Sequence, residues 1–278
     1  MATLQAPDGC TIRYFDFCPP DATGTIVWHH GTPQTGAVIE PLAGAAARRG
    51  LRVVSCARPG YPGSTRRLGR SIVDAAQDVL LVADALGIER FASVGASGGG
   101  PHALACAAIA PGRVSAVVTF ASLAPYDGDD AWFAGMADES ALRAAVTGAD
   151  SRTRHAETAD FDPSSFIDRD WAALSGQWAP LGADAQAGSA DGPDGEIDDD
   201  LAYVAPWGFA LEDVHIPALL VHGGADRVVP VTHVHRLLSR IPDAELWLRP
   251  REGHVSVLMG LGVALDWLDA VGAEKSAR

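Results

Sequence analysis

The stretch that most restricts the fold of this chain is an apolar run, residues 91–95, that leads through Gly95-Ala96-Ser97-Gly98-Gly99 into a helix of small residues. A strand that passes directly into a helix has to turn sharply. Glycines two residues on either side of Ser97 leave room where strand and helix nearly touch. Such a turn exposes the Ser97 hydroxyl at the end of the strand. Because the chain holds 30 glycines, the pattern alone also fits an ordinary turn, and its meaning depends on the rest of the sequence.

Short apolar segments alternate with amphipathic ones along most of the chain. Strands are predicted at 3–6, 11–17, 25–29, 51–57, 91–95, 114–121, 216–221 and 245–248. Helices are predicted at 38–49, 71–86, 101–110, 231–239 and 255–271. Strands that alternate with helices in this way are typical of βαβ units, and they predict an α/β fold with a parallel sheet.

The alternation stops between Pro125 and Glu212, where the composition changes. This segment contains 19 Asp and Glu against 4 Arg and no Lys, a net charge of −15, whereas the rest of the chain is nearly neutral and the whole chain carries −14. Aromatic residues lie among predicted helical fragments, and the Gly-, Ala- and Asp-rich residues 182–200 predict a mobile surface loop. We expect a body interrupted by a separate acidic segment. The negative charge disfavours nucleic acids and anionic membranes as partners.

Targeting signals are not evident in the sequence. No basic region followed by an apolar stretch is found near residue 1, and nowhere do 18 uncharged apolar residues run together. The four cysteines are scattered without Cys-x-x-Cys spacing. These features predict a cytoplasmic protein with free thiols.

Two further polar residues follow predicted strands in a suggestive order. A serine hydroxyl is a weak nucleophile unless a base takes its proton and an acidic group orients that base. Asp226 follows the strand at 216–221 and His254 follows the next strand, so both are expected at the sheet edge that carries Ser97. Each also has a plain structural interpretation, since Asp226 could cap a turn and His254 could cap the last helix. Asp127 is a rival for the acid.

Acyl transfer also needs donors that stabilise a developing oxyanion. The backbone N–H of Gly98, directly after the serine, is one candidate. The other is the N–H of Thr32, in the loop after the strand at 25–29. No metal or cofactor is predicted, because the sequence has no ligand-spaced His/Cys/Asp cluster and no Gly-x-Gly-x-x-Gly after a strand.

Five segments of the body together resemble the α/β-hydrolase superfamily, in its cap-bearing esterase, lactonase and peptidase-like branch. They are His29-His30-Gly31-Thr32-Pro33, Arg58-Pro59-Gly60-Tyr61-Pro62-Gly63-Ser64, Gly95-Ala96-Ser97-Gly98-Gly99, His222-Gly223-Gly224-Ala225-Asp226-Arg227-Val228-Val229-Pro230, and Gly253-His254. The resemblance implies an eight-stranded, mostly parallel sheet flanked by helices, with a mostly helical cap after the sixth strand. The body would comprise residues 1–124 and 213–278, and the acidic cap residues 125–212.

The resemblance also implies a serine hydrolase that cleaves a small to medium, largely apolar ester, lactone or thioester through an acyl-enzyme on Ser97. A serine at this position argues against haloalkane dehalogenases and epoxide hydrolases of the superfamily, which use aspartate. Three alternatives stay open: an aminopeptidase or amidase similar to proline iminopeptidase, a C–C bond hydrolase, and a ligand-binding protein without activity. The expected partner is a small-molecule substrate. Monomer and homodimer are both compatible with the sequence.

The aromatic residues of the acidic segment have two interpretations. Trp132, Phe133 and Trp207 are predicted to line an apolar pocket above Ser97. The alternative is that the same side chains form a small core between the segment and the body.

Overall fold

The computed structural model of the chain describes residues 1–276, with side chains for residues 1–271. Eight strands form one sheet in the order β1-β2-β4-β3-β5-β6-β7-β8. They are β1 (Ala2–Gln5), β2 (Thr11–Phe17), β3 (Gly24–His29), β4 (Leu51–Cys56), β5 (Phe91–Ala96), β6 (Val114–Phe120), β7 (Ala218–Gly223) and β8 (Ala244–Arg249). β2 pairs antiparallel with both β1 and β4, and the other pairings are parallel. The predicted α/β fold with an eight-stranded, mostly parallel sheet is confirmed.

Helices connect the strands and cover the sheet. They are α1 (Glu40–Ala47), α2 (Ile72–Ala85), α3 (Gly99–Ile109), α4 (Ser140–Thr147), α5 (Ala149–Ala156), α6 (Asp168–Leu174), α7 (Ala179–Gly188), α8 (Asp194–Val204), α9 (Val231–Leu238) and α10 (Leu261–Ser276). Within the described residues, no helix is both long and apolar enough to cross a membrane.

The central strands are apolar along their whole length because both faces of the sheet are covered. In β3, Val27 packs into the core under α2 and α3, whereas Ile26 and Trp28 pack into the core under α1 and α10. The side chains of β7 alternate in the same way: Leu220 packs into the core under α2 and α3, and Leu219 and Val221 pack into the core under α1 and α10. A parallel strand buried on two sides therefore reads as a continuous apolar run, as the sequence showed.

Between β6 and β7 the chain forms helices α4 to α8 and short 3₁₀ turns. The prediction of a mobile loop at 182–200 is wrong, because α7 and α8 occupy most of it. Its acidic residues suggested a solvated loop, yet Asp198, Asp199 and Asp200 are buried and pair with arginines that are distant in sequence. Those arginine partners are a tertiary feature that local composition does not reveal.

Candidate active site

Ser97 lies at the turn between β5 and α3 and has a left-handed backbone, with φ of 52°. Its N–H donates to the carbonyl of Phe120 at 2.8 Å, which fixes the turn against β6. The flanking glycines are required by close approach. A Cβ on Gly95 would lie 2.4 Å from the carbonyl oxygen of Gly99, and one on Gly99 would lie 2.0 Å from the carbonyl oxygen of His29. The sharp turn thus depends on those two glycines and holds Ser97 in a conformation that few side chains adopt.

Three predicted residues meet at the carboxyl edge of the sheet. The Nε2 atom of His254 lies 2.9 Å from Oγ of Ser97, and its Nδ1 atom lies 2.9 Å from Oδ2 of Asp226. Asp226 comes from the turn after β7 and His254 from the turn after β8. The geometry allows the histidine to accept the serine proton at one ring nitrogen while the other donates to a carboxylate.

The environment favours this use of His254. Burial lowers the pKa of His254, but the neighbouring Asp226 carboxylate outweighs burial and raises the pKa above its ordinary value, with a further contribution from Asp170. A second histidine, His222, has its Nε2 atom 3.8 Å from Oδ2 of Asp226. Burial lowers the pKa of His222, and its Nε2 atom bonds to the carbonyl of Val229. His222 is therefore neutral and does not compete as a cation for the carboxylate.

Thr32 and Gly98, the predicted oxyanion donors, lie on either side of the serine turn. A Cβ on Gly98 would lie 2.5 Å from Oγ1 of Thr32, and one on Gly31 would lie 3.5 Å from Cβ of Ser97. Among the hydrogen bonds of the described residues, none is donated by the backbone N–H of Thr32 or of Gly98. Within the described residues, these two N–H groups therefore have no hydrogen-bond acceptor.

The loop between β3 and α1, residues 30–39 (the Thr32 loop), is held by a buried carboxylate that was not among the predicted site residues. Oγ1 of Thr32 donates to Oδ2 of Asp199, in α8, at 2.6 Å, and lies 2.8 Å from the hydroxyl of Tyr203. Asp199 also accepts hydrogen bonds from the guanidinium groups of Arg58 and Arg70. Burial would raise the pKa of Asp199, but the two arginines lower it well below its usual range. The carboxylate is ionised and ties α8 to the loop.

Residues 125–212, which lie between β6 and β7, are called the inserted segment below. A second carboxylate from this segment reaches the loop that carries His254, residues 250–255, called the histidine loop. Asp170, in α6, accepts hydrogen bonds from the backbone N–H groups of His254, Val255 and Ser256. Both Asp170 and Asp199 belong to a segment with 19 acidic residues. In the sequence nothing distinguishes them from the solvated carboxylates around them.

The predicted pocket residues are deeply buried. Trp132 donates from its indole N–H to the carbonyl of Ala124 at 2.9 Å, and it packs edge-on against Phe133 at 4.9 Å between ring centroids. Trp207 donates to the carbonyl of Tyr203 at 3.1 Å. Trp132, Phe133 and Trp207 belong to the core on the α2 and α3 face of the sheet. Their contribution to a substrate pocket remains a prediction.

A different aromatic group lies next to His254. The ring of Phe166 is nearly parallel to the imidazole, with 12° between planes and 6.5 Å between centroids. Phe161 and Trp171 contact Phe166 and are 59% and 41% exposed. The place of Phe166 beside His254 could not be predicted from the sequence, because it depends on how α6 packs. The rival acid Asp127 lies at the surface, where it pairs with Arg236.

No group of three or more His, Cys, Asp or Glu side chains within residues 1–271 could hold a metal ion.

Comparison with known proteins agrees with the fold. A family model described as the alpha/beta hydrolase fold matches residues 24–138. Among curated proteins, no sequence matches the chain. A thermophilic esterase from Thermogutta terrifontis is similar in structure with a TM-score of 0.73 and 18% identity, covering 97% of this chain and 98% of the other. An enol-lactonase from Burkholderia xenovorans has a TM-score of 0.69 and 17% identity over 98% of both chains.

An esterase from Exiguobacterium antarcticum, with a TM-score of 0.66 and 18% identity, also covers 98% of both chains. At such identities the likeness concerns the fold, and it extends over nearly the whole length of each protein. Together with the family model that matches residues 24–138 and the eight-stranded sheet, it shows that the chain has the α/β-hydrolase fold.

Proposed function

We propose that this protein is a serine hydrolase that cleaves a small to medium, largely apolar ester, lactone or thioester. The observation that carries the proposal is the continuous hydrogen-bonded chain from Ser97 through His254 to Asp226, with 2.9 Å at each step. This arrangement provides a nucleophile, a base and an orienting carboxylate at the open edge of the sheet.

In the proposed reaction Oγ of Ser97 attacks the carbonyl carbon while Nε2 of His254 takes the hydroxyl proton. The backbone N–H groups of Thr32 and Gly98 stabilise the oxyanion. His254 then gives its proton to the leaving alcohol or thiol as the bond to the carbonyl carbon breaks. Water attacks the acyl-enzyme, with its proton passing to His254 and from there to Oγ of Ser97, and the free acid is released.

The surroundings of His254 support an apolar substrate. Phe166 stacks on the imidazole, and the partly exposed Phe161 and Trp171 extend this aromatic surface outwards. The similar structures named as esterases and as an enol-lactonase favour esters and lactones among the possible acyl compounds. A small-molecule substrate and a cytoplasmic location belong to the same proposal, and four free cysteines support a reducing compartment.

An aminopeptidase would need a carboxylate above the serine that is free to bind an amino group. The buried carboxylates of the inserted segment do not meet this need. Asp199 is paired with arginines, Asp198 with Arg66, Asp200 with Arg152, and Asp170 with backbone N–H groups. This observation favours ester cleavage over cleavage of aminoacyl substrates.

The proposal is tested by labelling with a fluorophosphonate probe followed by mass spectrometry of the peptide that contains residue 97. We expect a covalent adduct on Ser97 in the folded protein. Ser97→Ala should take no label, whereas the exposed control Ser189→Ala should be labelled as the wild type is. No adduct in the folded wild type would overturn the enzyme proposal and favour a ligand-binding protein.

Substrate class is tested with p-nitrophenyl esters of increasing acyl length, lactones, thioesters and aminoacyl anilides. We expect hydrolysis of the esters, lactones or thioesters, with a loss of about 10⁶-fold in kcat for Ser97→Ala. Faster turnover of the anilides than of every ester would contradict the proposed substrate class while leaving the serine mechanism intact.

A further inference from the structure

Asp170 is a fully buried carboxylate with an unusual set of partners. Its Oδ1 atom accepts hydrogen bonds from the N–H groups of Val255 at 2.9 Å and Ser256 at 2.7 Å. Its Oδ2 atom accepts from His254 at 3.2 Å and from Ile167 at 3.1 Å. Within the described part of the chain, the hydrogen bonds given to this carboxylate all come from backbone N–H groups. Such bonds to a buried anion are short and strong, and losing the acceptor leaves buried donors without a partner.

The bonds from His254, Val255 and Ser256 join two parts of the molecule that are distant in sequence. Asp170 belongs to α6, in the segment between β6 and β7, whereas the three donors lie at the start of the 3₁₀ turn Ser256–Gly260 and in the two residues before it. The first N–H groups of a helical segment have no partner inside it and need an acceptor from elsewhere. Asp170 supplies that acceptor, and one of the donors is the backbone N–H of the histidine itself.

We propose that Asp170 is a positioning residue for His254, one that holds the histidine loop at the distance from Ser97 that proton transfer requires. This inference rests on the proposed serine hydrolase function. Asp170 holds the loop through backbone N–H groups, and its charge acts on the imidazole without a hydrogen bond to it.

The packing beneath His254 supports this role because it leaves the carboxylate little freedom. A Cβ on Gly253 would lie 2.1 Å from Oδ2 of Asp170, so the backbone of the histidine loop rests directly on the carboxylate. Beside this contact, Arg169 forms two hydrogen bonds to Glu252, at 2.9 and 2.7 Å. Helix α6 therefore contacts the histidine loop through two adjacent residues, Arg169 and Asp170.

The charge of Asp170 provides a readout that a purely structural role would not affect. The charged groups that act on His254 are Asp226, from the turn after β7, and Asp170, from α6, and both raise the pKa of the imidazole. Removing the charge at position 170 should therefore lower the pKa of His254. The acid limb of kcat/KM, which follows the free base, should move to lower pH.

The first experiment compares Asp170→Asn with Asp168→Asn, which removes an exposed carboxylate from the same helix. An asparagine at position 170 directs its NH₂ group at backbone donors and cannot satisfy all of them. We expect kcat on the best ester to fall by about 10- to 100-fold because the base is misplaced, with little change in KM. The acid limb should move to lower pH in Asp170→Asn only. Equal kcat and pH profiles in the two variants would overturn the inference.

A second variant tests the contact from the other side with the carboxylate intact. The added methyl group of Gly253→Ala collides with Asp170, and residue 253 needs no left-handed backbone. We expect a similar fall in kcat for Gly253→Ala. In the double variant with Asp170→Asn, the fall in kcat should be smaller than the two single falls combined, because both changes break the same contact. Wild-type kcat in Gly253→Ala would contradict the proposal. This variant also keeps the proposal testable should Asp170→Asn not fold.

Titration of the His254 imidazole by NMR separates this inference from the proposed function, since it needs no substrate. A lower pKa of His254 in Asp170→Asn than in Asp168→Asn supports the electrostatic part of the argument even if no ester is hydrolysed. Unchanged pKa values in both variants would count against it. If the fluorophosphonate probe did not label Ser97 in the wild type, the proposed hydrolase function would be wrong. The comparison of the His254 pKa values would still test the role of Asp170.

Discussion

Asp226 uses its two carboxylate oxygens for different purposes. Oδ1 accepts from the N–H groups of Val228 and Val229, each at 2.9 Å, which fixes the turn after β7. Oδ2 faces Nδ1 of His254. An asparagine would keep its oxygen on the turn and present its NH₂ group to the imidazole. The histidine would then hold its proton on Nε2, where it could not accept one from Ser97.

We therefore expect Asp226→Asn to lower kcat/KM by about 10⁴-fold with the fold preserved. The control is Asp127→Asn, since Asp127 also follows a strand of the sheet but lies at the surface, where it pairs with Arg236 and accepts from the N–H of Asp129. Its kcat/KM should equal that of the wild type. Steady-state kinetics on one ester compares the variants, and a larger loss in Asp127→Asn would contradict the assignment of Asp226.

The pKa of His254 determines the pH dependence of the wild type. As the proposed base, His254 would work only when neutral, and its pKa lies above the ordinary value of about 6.5 because of Asp226 and Asp170. Activity should be full above this pKa and fall as the pH drops through it. Measurement of kcat/KM between pH 4 and 9 checks this expectation. Activity undiminished at pH 4 would show that His254 is not the base.

The residues at strand ends could be predicted from sequence because a parallel sheet brings all carboxyl ends to one edge. Ser97, Asp226 and His254 each follow an apolar run, so their order and spacing indicated a common location. Phe166 and Asp170 could not be found in the same way. They reach His254 through the packing of α6, and no local pattern specifies where that helix lies.

At the scale of elements, α8 connects the inserted segment to the Thr32 loop. Its Asp199 lies between Arg58 and Arg70 and is fully buried. A buried ion pair is costly to break from one side, because the remaining charges lose their partner without regaining water. Asp194, on the same helix, pairs with Arg66 at the surface. The two carboxylates thus make very different contributions to stability.

We expect Asp199→Asn to lower the free energy of unfolding by about 3–5 kcal/mol. Asp194→Asn should change it by less than about 1 kcal/mol. Urea unfolding at pH 7 measures both values. Asp199 also accepts a hydrogen bond from the Thr32 hydroxyl. We therefore expect kcat of the folded Asp199→Asn variant, measured without urea, to be lower than that of the wild type. Equal stability of the two variants would show that the buried pairs do not hold α8 in place.

The strands and the helices of the body could be predicted because burial on both faces leaves a continuous apolar signature. Helices α7 and α8 could not, since their frequent Gly and Asp residues are typical of loops and obscured the helix-favouring Ala residues. In the structure Gly188 lies against the backbone of Gln34, where a Cβ would approach within 2.7 Å. Its small size serves close packing. The same composition therefore has a different meaning once tertiary contacts are known.

In the whole molecule, the negative charge is concentrated in one segment of the chain, whereas the two hydrophobic cores contain residues from both that segment and the body. Residues 125–212 carry nearly all the net charge. Nevertheless Trp132, Tyr203 and Trp207 are buried in the core on the α2 and α3 face of the sheet, and Trp178 in the core on the opposite face. The aromatic residues of the inserted segment pack into the same two cores as the strands and helices of the body. The segment is thus distinct in composition and continuous with the body in packing.

This shared packing predicts a single cooperative unfolding transition. Four of the seven tryptophans lie in the inserted segment, so tryptophan fluorescence follows mainly that part, whereas far-UV circular dichroism follows the whole chain. The two signals should give the same urea midpoint in the wild type. Asp199→Asn should lower both midpoints together, because the contacts of α8 belong to the same cooperative unit. A fluorescence transition that precedes the circular dichroism transition would show instead that the segment unfolds independently of the sheet.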